Sequence, residues 1–150
     1  MTDTWSGDLP FFSRDELKCK GSGKVLLDAR FAATLPALRV VWGGPLLLTS
    51  CCRTPEHNAA VGGHPRSLHL TKNPHHPTKG TLAADLDWRA WPDDRKKEFA
   101  RLAWSRGWSV GLHSVFIHVD RRTDIGLLQA VFLYGEWSGN FEPHEVIEHD

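Results

Sequence analysis

Two segments of the chain combine histidine with aspartate at spacings that could hold a metal ion. The first, SLHLTKNPHHPTKGTLAADLDW at residues 67–88, contains His69, Asp85 and Asp87, and the second, VFIHVD at residues 115–120, contains His118 and Asp120. Imidazole nitrogens and carboxylate oxygens are ligands of zinc, and two histidines with one carboxylate leave a fourth position open for water in catalytic sites. Whether these residues form a site depends on the elements that carry them.

The alternation of apolar and polar residues places the candidate ligands on one face of each of two strands. In VFIHVD the aliphatic residues point to one side, and His118 and Asp120 point to the other. In TLAADLDW the opposite face to the leucines carries Asp85 and Asp87 with Ala83. The alternative is that the histidine is a hydrogen-bonded structural residue and that the aspartates are solvated.

The pattern before these segments indicates the elements that support them. Ser13 with Glu16 is typical of a capping box ahead of a short helix. Apolar residues at every third or fourth position predict a helix over residues 25–41, which Pro36 could bend or end early. The run PLLLTSCCR predicts a strand, and TPEHNAAVGG predicts a short helix that Thr54 caps.

The second half of the chain predicts one longer helix and further strands. WPDDRKKEFARLAWSRGW begins with acids, carries a buried stripe of Phe99, Leu102 and Ala103, and ends at Gly107, as a helix would. SVGLHSVFIHVDRR and LLQAVFLYGEW predict strands around a TDIG turn. The predicted fold class is α+β, with a small antiparallel sheet flanked by helices and the metal site on one face of the sheet.

Composition narrows the class of protein. A chain of 150 residues with 41% hydrophobic and 24% charged residues suits a single globular domain, 1–150. Eighteen basic residues balance eighteen acidic ones, so we expect no nucleic-acid partner, since such proteins normally carry a basic excess. Three cysteines make no disulfide framework. Without a signal-peptide pattern or a long apolar run, we expect cytoplasmic synthesis and no membrane partner.

Three sequence blocks resemble one family of enzymes. TSCCRTPEHNAAVGGHPRSLHL is similar to the pattern S-G-Y-R-S-x-x-H-N-x-x-V-G-G-x-x-x-S-x-H of the D-Ala-D-Ala carboxypeptidase-like zinc peptidases, which include cell-wall carboxypeptidases and phage endolysins. LAADL resembles the A-A-D-I block of that family, and GLHSVFIHVDRR resembles its G-x-Y-x-x-F-V-H-V-D-x-R block. The blocks follow in the family's order and cover roughly positions 45 to 122.

The resemblance implies a set of site residues. It implies that zinc is held by His69, Asp85 and His118, and that Arg53 binds and polarises a carbonyl or carboxylate of the peptide. Arg53 follows an apolar strand, where its planar fork of donors can be held rigidly; an ordinary surface ion pair is the alternative. Ser67 is expected to support the site or the substrate by hydrogen bonding, or to cap the loop.

The chain departs from the family pattern in the loop between the first two ligands. Relatives have a short connection there, whereas LTKNPHHPTKG has the composition of an exposed insertion. We therefore expect His75 and His76 not to be primary ligands. Asp87 shares a face with Asp85, but A-A-D matches the motif, which favours Asp85.

A second departure concerns the general base. Several relatives carry a carboxylate three residues before the last histidine, where this chain has Val115. Asp120 is the first candidate for the base, unless it only orients His118. His113, which replaces the tyrosine of the family, is the second.

These features predict a zinc-dependent peptidoglycan peptidase, either a D-Ala-D-Ala carboxypeptidase or an endopeptidase for an L-Ala-D-Glu or cross-link bond. We expect a monomer that acts on stem peptides, in the setting of a phage-type endolysin released by a holin; a cytoplasmic dipeptidase that trims wall precursors fits nearly as well. One alternative is a non-catalytic zinc-containing module for wall binding or phage structure, which the residue at Val115 supports. A nuclease of the His-Asn-His kind is a weaker alternative, because the chain has neutral charge and no C-x-x-C pair.

Overall fold

A five-stranded sheet forms the framework of the fold. The computed structural model describes residues 4–74 and 80–148. The strands are β1 (Thr4–Trp5), β2 (Leu27–Asp28), β3 (Leu48–Ser50), β4 (Ala83–Asp87), β5 (Ser109–Leu112), β6 (Phe116–Asp120) and β7 (Val131–Leu133). The helices are α1 (Arg14–Leu17), α2 (Ala29–Trp42), α3 (Pro55–Ala60), α4 (Asp93–Ser105) and α5 (Pro143–Ile147), with a 3-10 turn at Arg122–Ile125. This architecture confirms the predicted α+β class.

The sheet is antiparallel except at one edge. Strands β3, β4, β6 and β5 pair antiparallel in succession, whereas β7 runs parallel to β5. The sequence predicts an antiparallel sheet throughout, but the 3-10 turn and the segment after it carry the chain back across the sheet before β7 begins. A parallel neighbour needs such a crossover, whereas a tight turn would have produced a hairpin. Strands β1 and β2 form a separate antiparallel pair.

Side-chain caps set the starts of α1, α2 and α3, and the sequence predicts those of α1 and α3. Ser13 and Glu16 form the reciprocal capping box of α1, and the side chain of Thr54 accepts the N–H of His57 at the start of α3. The helix predicted over residues 25–41 instead begins at Ala29, because Asp28 caps it through the N–H of Phe31. Pro36 lies within that helix and does not end it.

The core lies between the apolar face of the sheet and helices α2 and α4. The predicted apolar face of β4 is fully buried, and so are Ile117 and Val119 of β6, whereas Val115, just before β6, is only partly buried. In α4, Phe99 and Ala103 are fully buried and Leu102 is partly buried. Burial of this face stabilises the sheet by removing apolar area from water. The opposite face of β4 and β6 carries the polar residues. Within the two described ranges, no helix is long and apolar enough to cross a membrane.

Backbone pairing fixes both sides of the loop insertion. Arg53 and His69 are joined by a backbone hydrogen bond of 2.9 Å, and the N–H of Gly80 donates to the carbonyl of Thr71 at 2.8 Å. We call the Thr71–Gly80 pair the loop neck. Gly80 has φ of 101°, and a Cβ there would lie 2.5 Å from the backbone nitrogen of Asp28, so glycine is required where the neck meets β2.

Candidate metal centre and active site

Asp85 and His118 face each other directly across two paired strands. The register of β4 and β6 pairs Asp85 with His118 and Leu86 with Ile117. Side chains alternate along a strand, so the pleat that buries Leu86 and Ile117 presents the aspartate and the histidine on the opposite face. Both polar residues are 7% exposed. The facing predicted from alternation is therefore observed.

His69 reaches the same place from the loop that follows α3. Its N–H donates to Ser67 Oγ at 3.2 Å, and its carbonyl accepts from Thr81 Oγ1 at 2.8 Å. The ring is 3% exposed, and its Nδ1 lies 2.8 Å from the carbonyl oxygen of Cys51. A carbonyl can only accept, so Nδ1 carries the proton and donates it. Nε2 is thereby left as the ligand atom.

The three candidate ligands converge on one point. His69 Nε2 and His118 Nδ1 each lie 3.1 Å from Asp85 Oδ1, and the ligand atoms of the three residues all lie within 4.8 Å of one another. His118 Nε2 lies 2.8 Å from a carboxylate oxygen of Asp120, which fixes the proton of that ring on Nε2. Three lone pairs thus point to a common centre, and this donor set fits a zinc ion.

The local charges stabilise the ionised carboxylate that a metal ligand requires. Burial alone would raise the pKa of Asp85, but the neighbouring His69 and His118 lower it far below its usual range. Burial disfavours the charged form of His118, yet its hydrogen bonds to Asp120 and Asp85 raise its pKa to about 9. The site thus favours one positive charge beside Asp85, carried either by a proton on His118 or by a metal ion between the three residues.

Asp120 uses both of its carboxylate oxygens on neighbouring groups. Arg122 donates to it from Nε at 2.9 Å, from Nη2 at 2.7 Å and from its backbone nitrogen at 3.0 Å, in addition to the bond from His118. The side chain is fully buried. Burial raises its pKa, but these bonds bring it well below the usual range overall. This arrangement is the one expected of a carboxylate that orients a histidine ligand.

His113 lies one pleat further along the sheet from His118. Its ring stacks on Phe116 with centroids 4.3 Å apart, and its Nε2 lies 3.6 Å from a carboxylate oxygen of Glu136. The N–H of Val115 donates to its Nδ1 at 3.0 Å, so Nε2 carries the proton in this conformation. The side chain is 17% exposed, and solvent can therefore reach the His113–Glu136 pair.

Arg53 is held beside Asp85 by an asparagine. Its Nη1 donates to Asn58 Oδ1 at 3.2 Å, and its Nη2 lies 3.9 Å from Asp85 Oδ2. Asn58 is buried and donates in turn to the carbonyl of His64 at 2.9 Å. The guanidinium is therefore fixed near the metal centre while part of its surface stays accessible.

A cavity of about 460 Å³ opens beside the metal centre, with His118 and Asp120 among its lining residues. Its size suits a small organic group or a short peptide. The other polar and aromatic lining residues include His64, Arg66, Ser67, Arg122, Phe132 and Tyr134. Ser67 thus contributes to the cavity wall as well as capping the N–H of His69.

The structure separates the remaining histidine and aspartate candidates. Asp87 is not part of the converging group; its carboxylate accepts the backbone N–H of Arg89 at 3.0 Å. His75 and His76 lie outside the described residues.

Several residues of the site were not singled out by sequence reasoning, among them Asn58, Arg122, Phe132, Tyr134 and Glu136. Arg122 and Asn58 belong to matched family blocks, where the letters R of D-x-R and N of H-N were the available signals. Phe132 and Tyr134 come from the parallel strand β7 and the residue after it, and no motif marks them. Only the sheet order brings these two aromatic residues to the metal face.

Comparison with known proteins agrees with this geometry. The family model described as Peptidase M15 matches residues 10–120, which include all three converging ligands. No curated protein and no solved structure matches the chain. Peptidases of this family depend on zinc, and His69, Asp85 and His118 form a group that could bind it. The chain belongs to the Peptidase M15 family, the D-Ala-D-Ala carboxypeptidase-like zinc peptidases.

Proposed function

We propose that the protein is a zinc-dependent peptidase that cleaves stem-peptide bonds of peptidoglycan. The observation that carries this proposal is the convergence of His69 Nε2, Asp85 Oδ1 and His118 Nδ1 within 4.8 Å, beside a cavity large enough for a short peptide. Zinc held by these atoms supplies a Lewis acid that activates water and polarises the scissile carbonyl.

Arg53 is proposed to bind the substrate next to the metal centre. Its bond to Asn58 leaves other guanidinium N–H groups able to donate to a peptide carbonyl or carboxylate. The bond to Asn58 fixes the guanidinium group of Arg53 before the substrate binds. The group therefore needs little reorientation as negative charge develops on the substrate. Ser67, which lines the cavity, is proposed to contact the peptide as well.

Proton transfer is assigned to the His113–Glu136 pair rather than to Asp120. A base needs a lone pair that a water molecule can reach, and both oxygens of Asp120 are engaged in a fully buried network with His118 and Arg122. Both ring nitrogens of His113 are engaged in this conformation, so within this accessible pair the carboxylate of Glu136 is the proposed base. Glu136→Gln is expected to lower kcat at least tenfold with unchanged zinc content, and a wild-type kcat would argue against the assignment. His113→Gln, which removes the partner of that carboxylate, is expected to lower kcat as well.

The wall of the cavity supports an acidic peptide as the substrate class. Arg66 and His64 are exposed at its rim, whereas the charge of Arg122 is already paired with Asp120. Stem peptides carry free carboxylates, which guanidinium groups bind well. Within this class we place the protein as a phage-type endolysin, with a precursor-trimming dipeptidase as the second setting.

Mass spectrometry of products from purified peptidoglycan tests the proposal. The native protein, the chelated protein and the zinc-restored protein are compared, together with Asp85→Asn. Release of new amino termini that stops on chelation and returns with zinc is the expected result, and it identifies the bond. An unchanged wall, from a protein with one tightly bound zinc, would refute the peptidase and favour a non-catalytic wall-binding module.

A further inference from the structure

Tyr134 stands at the wall of the cavity beside the metal centre. It follows strand β7, and its backbone N–H donates to the carbonyl of Leu112 at 3.0 Å, which continues the parallel pairing with β5. The same cavity is lined by His118, Asp120 and Arg122. The tyrosine side chain therefore faces the space in which a substrate would meet the ligands.

The tyrosine ring is held in one orientation by its neighbours. It makes edge or tilted contacts with His113, Phe116 and Phe132, with centroid separations of 5.6, 5.2 and 5.7 Å. Gly111 makes room for this cluster, since a Cβ there would overlap the ring of Phe132 and lie 3.0 Å from Tyr134 Cε2. A ring so packed can present its hydroxyl without losing much conformational freedom when substrate binds.

The phenol hydroxyl is a donor with no protein partner among the described residues, although charged groups surround it. The carboxylates of Asp85 and Asp120 and the guanidinium groups of Arg53 and Arg122 all act on it electrostatically. Burial and the charge of Asp85 raise the pKa of Tyr134 to about 12, so the hydroxyl keeps its proton at neutral pH. By contrast, Asp120 and Arg122 satisfy each other.

We propose that Tyr134 is a catalytic residue whose hydroxyl donates a hydrogen bond to the scissile carbonyl oxygen as that oxygen becomes negatively charged. The inference rests on the proposed peptidase function and adds to it a residue outside the matched family blocks. A fixed donor in a partly buried site gains strength when its acceptor becomes an anion. The hydroxyl therefore lowers the barrier more than it strengthens substrate binding.

Tyr134→Phe tests the inference because it removes the hydroxyl and keeps the packed ring. We expect kcat to fall about 100-fold, as for other single oxyanion donors, while KM changes less than about twofold. Zinc content and the melting temperature should stay at the wild-type values. Leu133→Ala is the matched control, since it truncates the neighbouring side chain, which is 47% exposed, and should leave kcat unchanged.

A second readout uses the fact that Tyr134 is the only tyrosine of the chain. Incorporation of 3-fluorotyrosine gives a single fluorine resonance, which should shift when a phosphinate analogue of the bond identified by mass spectrometry is added. The same phosphinate should bind Tyr134→Phe about 100-fold more weakly than wild type.

The two proposals fail in different ways. A zinc-loaded wild type that leaves peptidoglycan intact overturns both. An active wild type with an equally active Tyr134→Phe, or a variant with raised KM and unchanged kcat, overturns only the role of Tyr134. An unmoved fluorine resonance in the phosphinate complex also overturns it.

Discussion

The Asp120→Asn variant distinguishes between two possible roles of Asp120: orienting the His118 ring, and acting as the general base. Asp120 accepts three hydrogen bonds from Arg122 and one from His118, shared between its two oxygens. Asparagine offers one oxygen, so its NH₂ group opposes donors of Arg122 in either orientation, and in one of them it also opposes the Nε2–H of His118. Loss of one member of a fully buried ion pair costs about 3–5 kcal/mol. Because the Arg122 side chain is 25% exposed, we expect a smaller destabilisation of about 2 kcal/mol.

The decisive measurement is zinc affinity by competition with a chromophoric chelator. With His118 no longer held in its ligating orientation, the zinc Kd of Asp120→Asn should rise roughly 10- to 100-fold, and activity should recover substantially at saturating zinc. Asp124→Asn is the matched control, because Asp124 also binds an arginine through both oxygens but lies outside the metal centre. An unchanged zinc Kd with a kcat that stays low at saturating zinc would refute the orienting role and identify Asp120 as the base.

Three further predictions follow from the geometry of the site. Asp85→Asn should abolish stoichiometric zinc binding in elemental analysis, whereas Asp87→Asn on the same strand face should retain it; the reverse would exchange their roles. Gly111→Ala should destabilise the fold by about 1–3 kcal/mol in urea unfolding and reduce activity, because the new methyl group overlaps Phe132; wild-type stability would contradict this. In the zinc-free protein the pKa of His118 is raised from 6.5 to about 9, so its contribution to stability is complete below pH 6.5 and lost as the pH rises through 9. The difference corresponds to at most roughly 3 kcal/mol, and thermal melts of the zinc-free protein that show no such fall, or a rise, would contradict it.

The site strands could be predicted from sequence because their chemistry follows a period of two. Alternation assigned Asp85 and His118 to polar faces, and the register then placed them opposite each other. Local caps such as Thr54 were equally readable, since a cap and the backbone N–H that donates to it lie within three residues of each other.

The features of the site that the sequence could not predict depend on contacts between residues far apart in the chain. The parallel docking of β7 on β5 brings Tyr134 to the cavity, but a three-residue strand carries no signal of its partner or direction. The carbonyl of Cys51 selects the ligating nitrogen of His69, and a backbone acceptor has no residue-type signature. The saturation of Asp120 by Arg122 likewise required the folded geometry.

The loop neck separates the positions of the candidate ligands His69 and Asp85 from the length of the chain between them. Thr71 and Gly80 close the loop at its base, while His69 and Asp85 are positioned by pairing outside it. Doubling the length of a flexible loop adds only about 0.6 kcal/mol of closure cost. The number of residues between Thr71 and Gly80 can therefore change while the backbone pairing that positions His69 and Asp85 is kept.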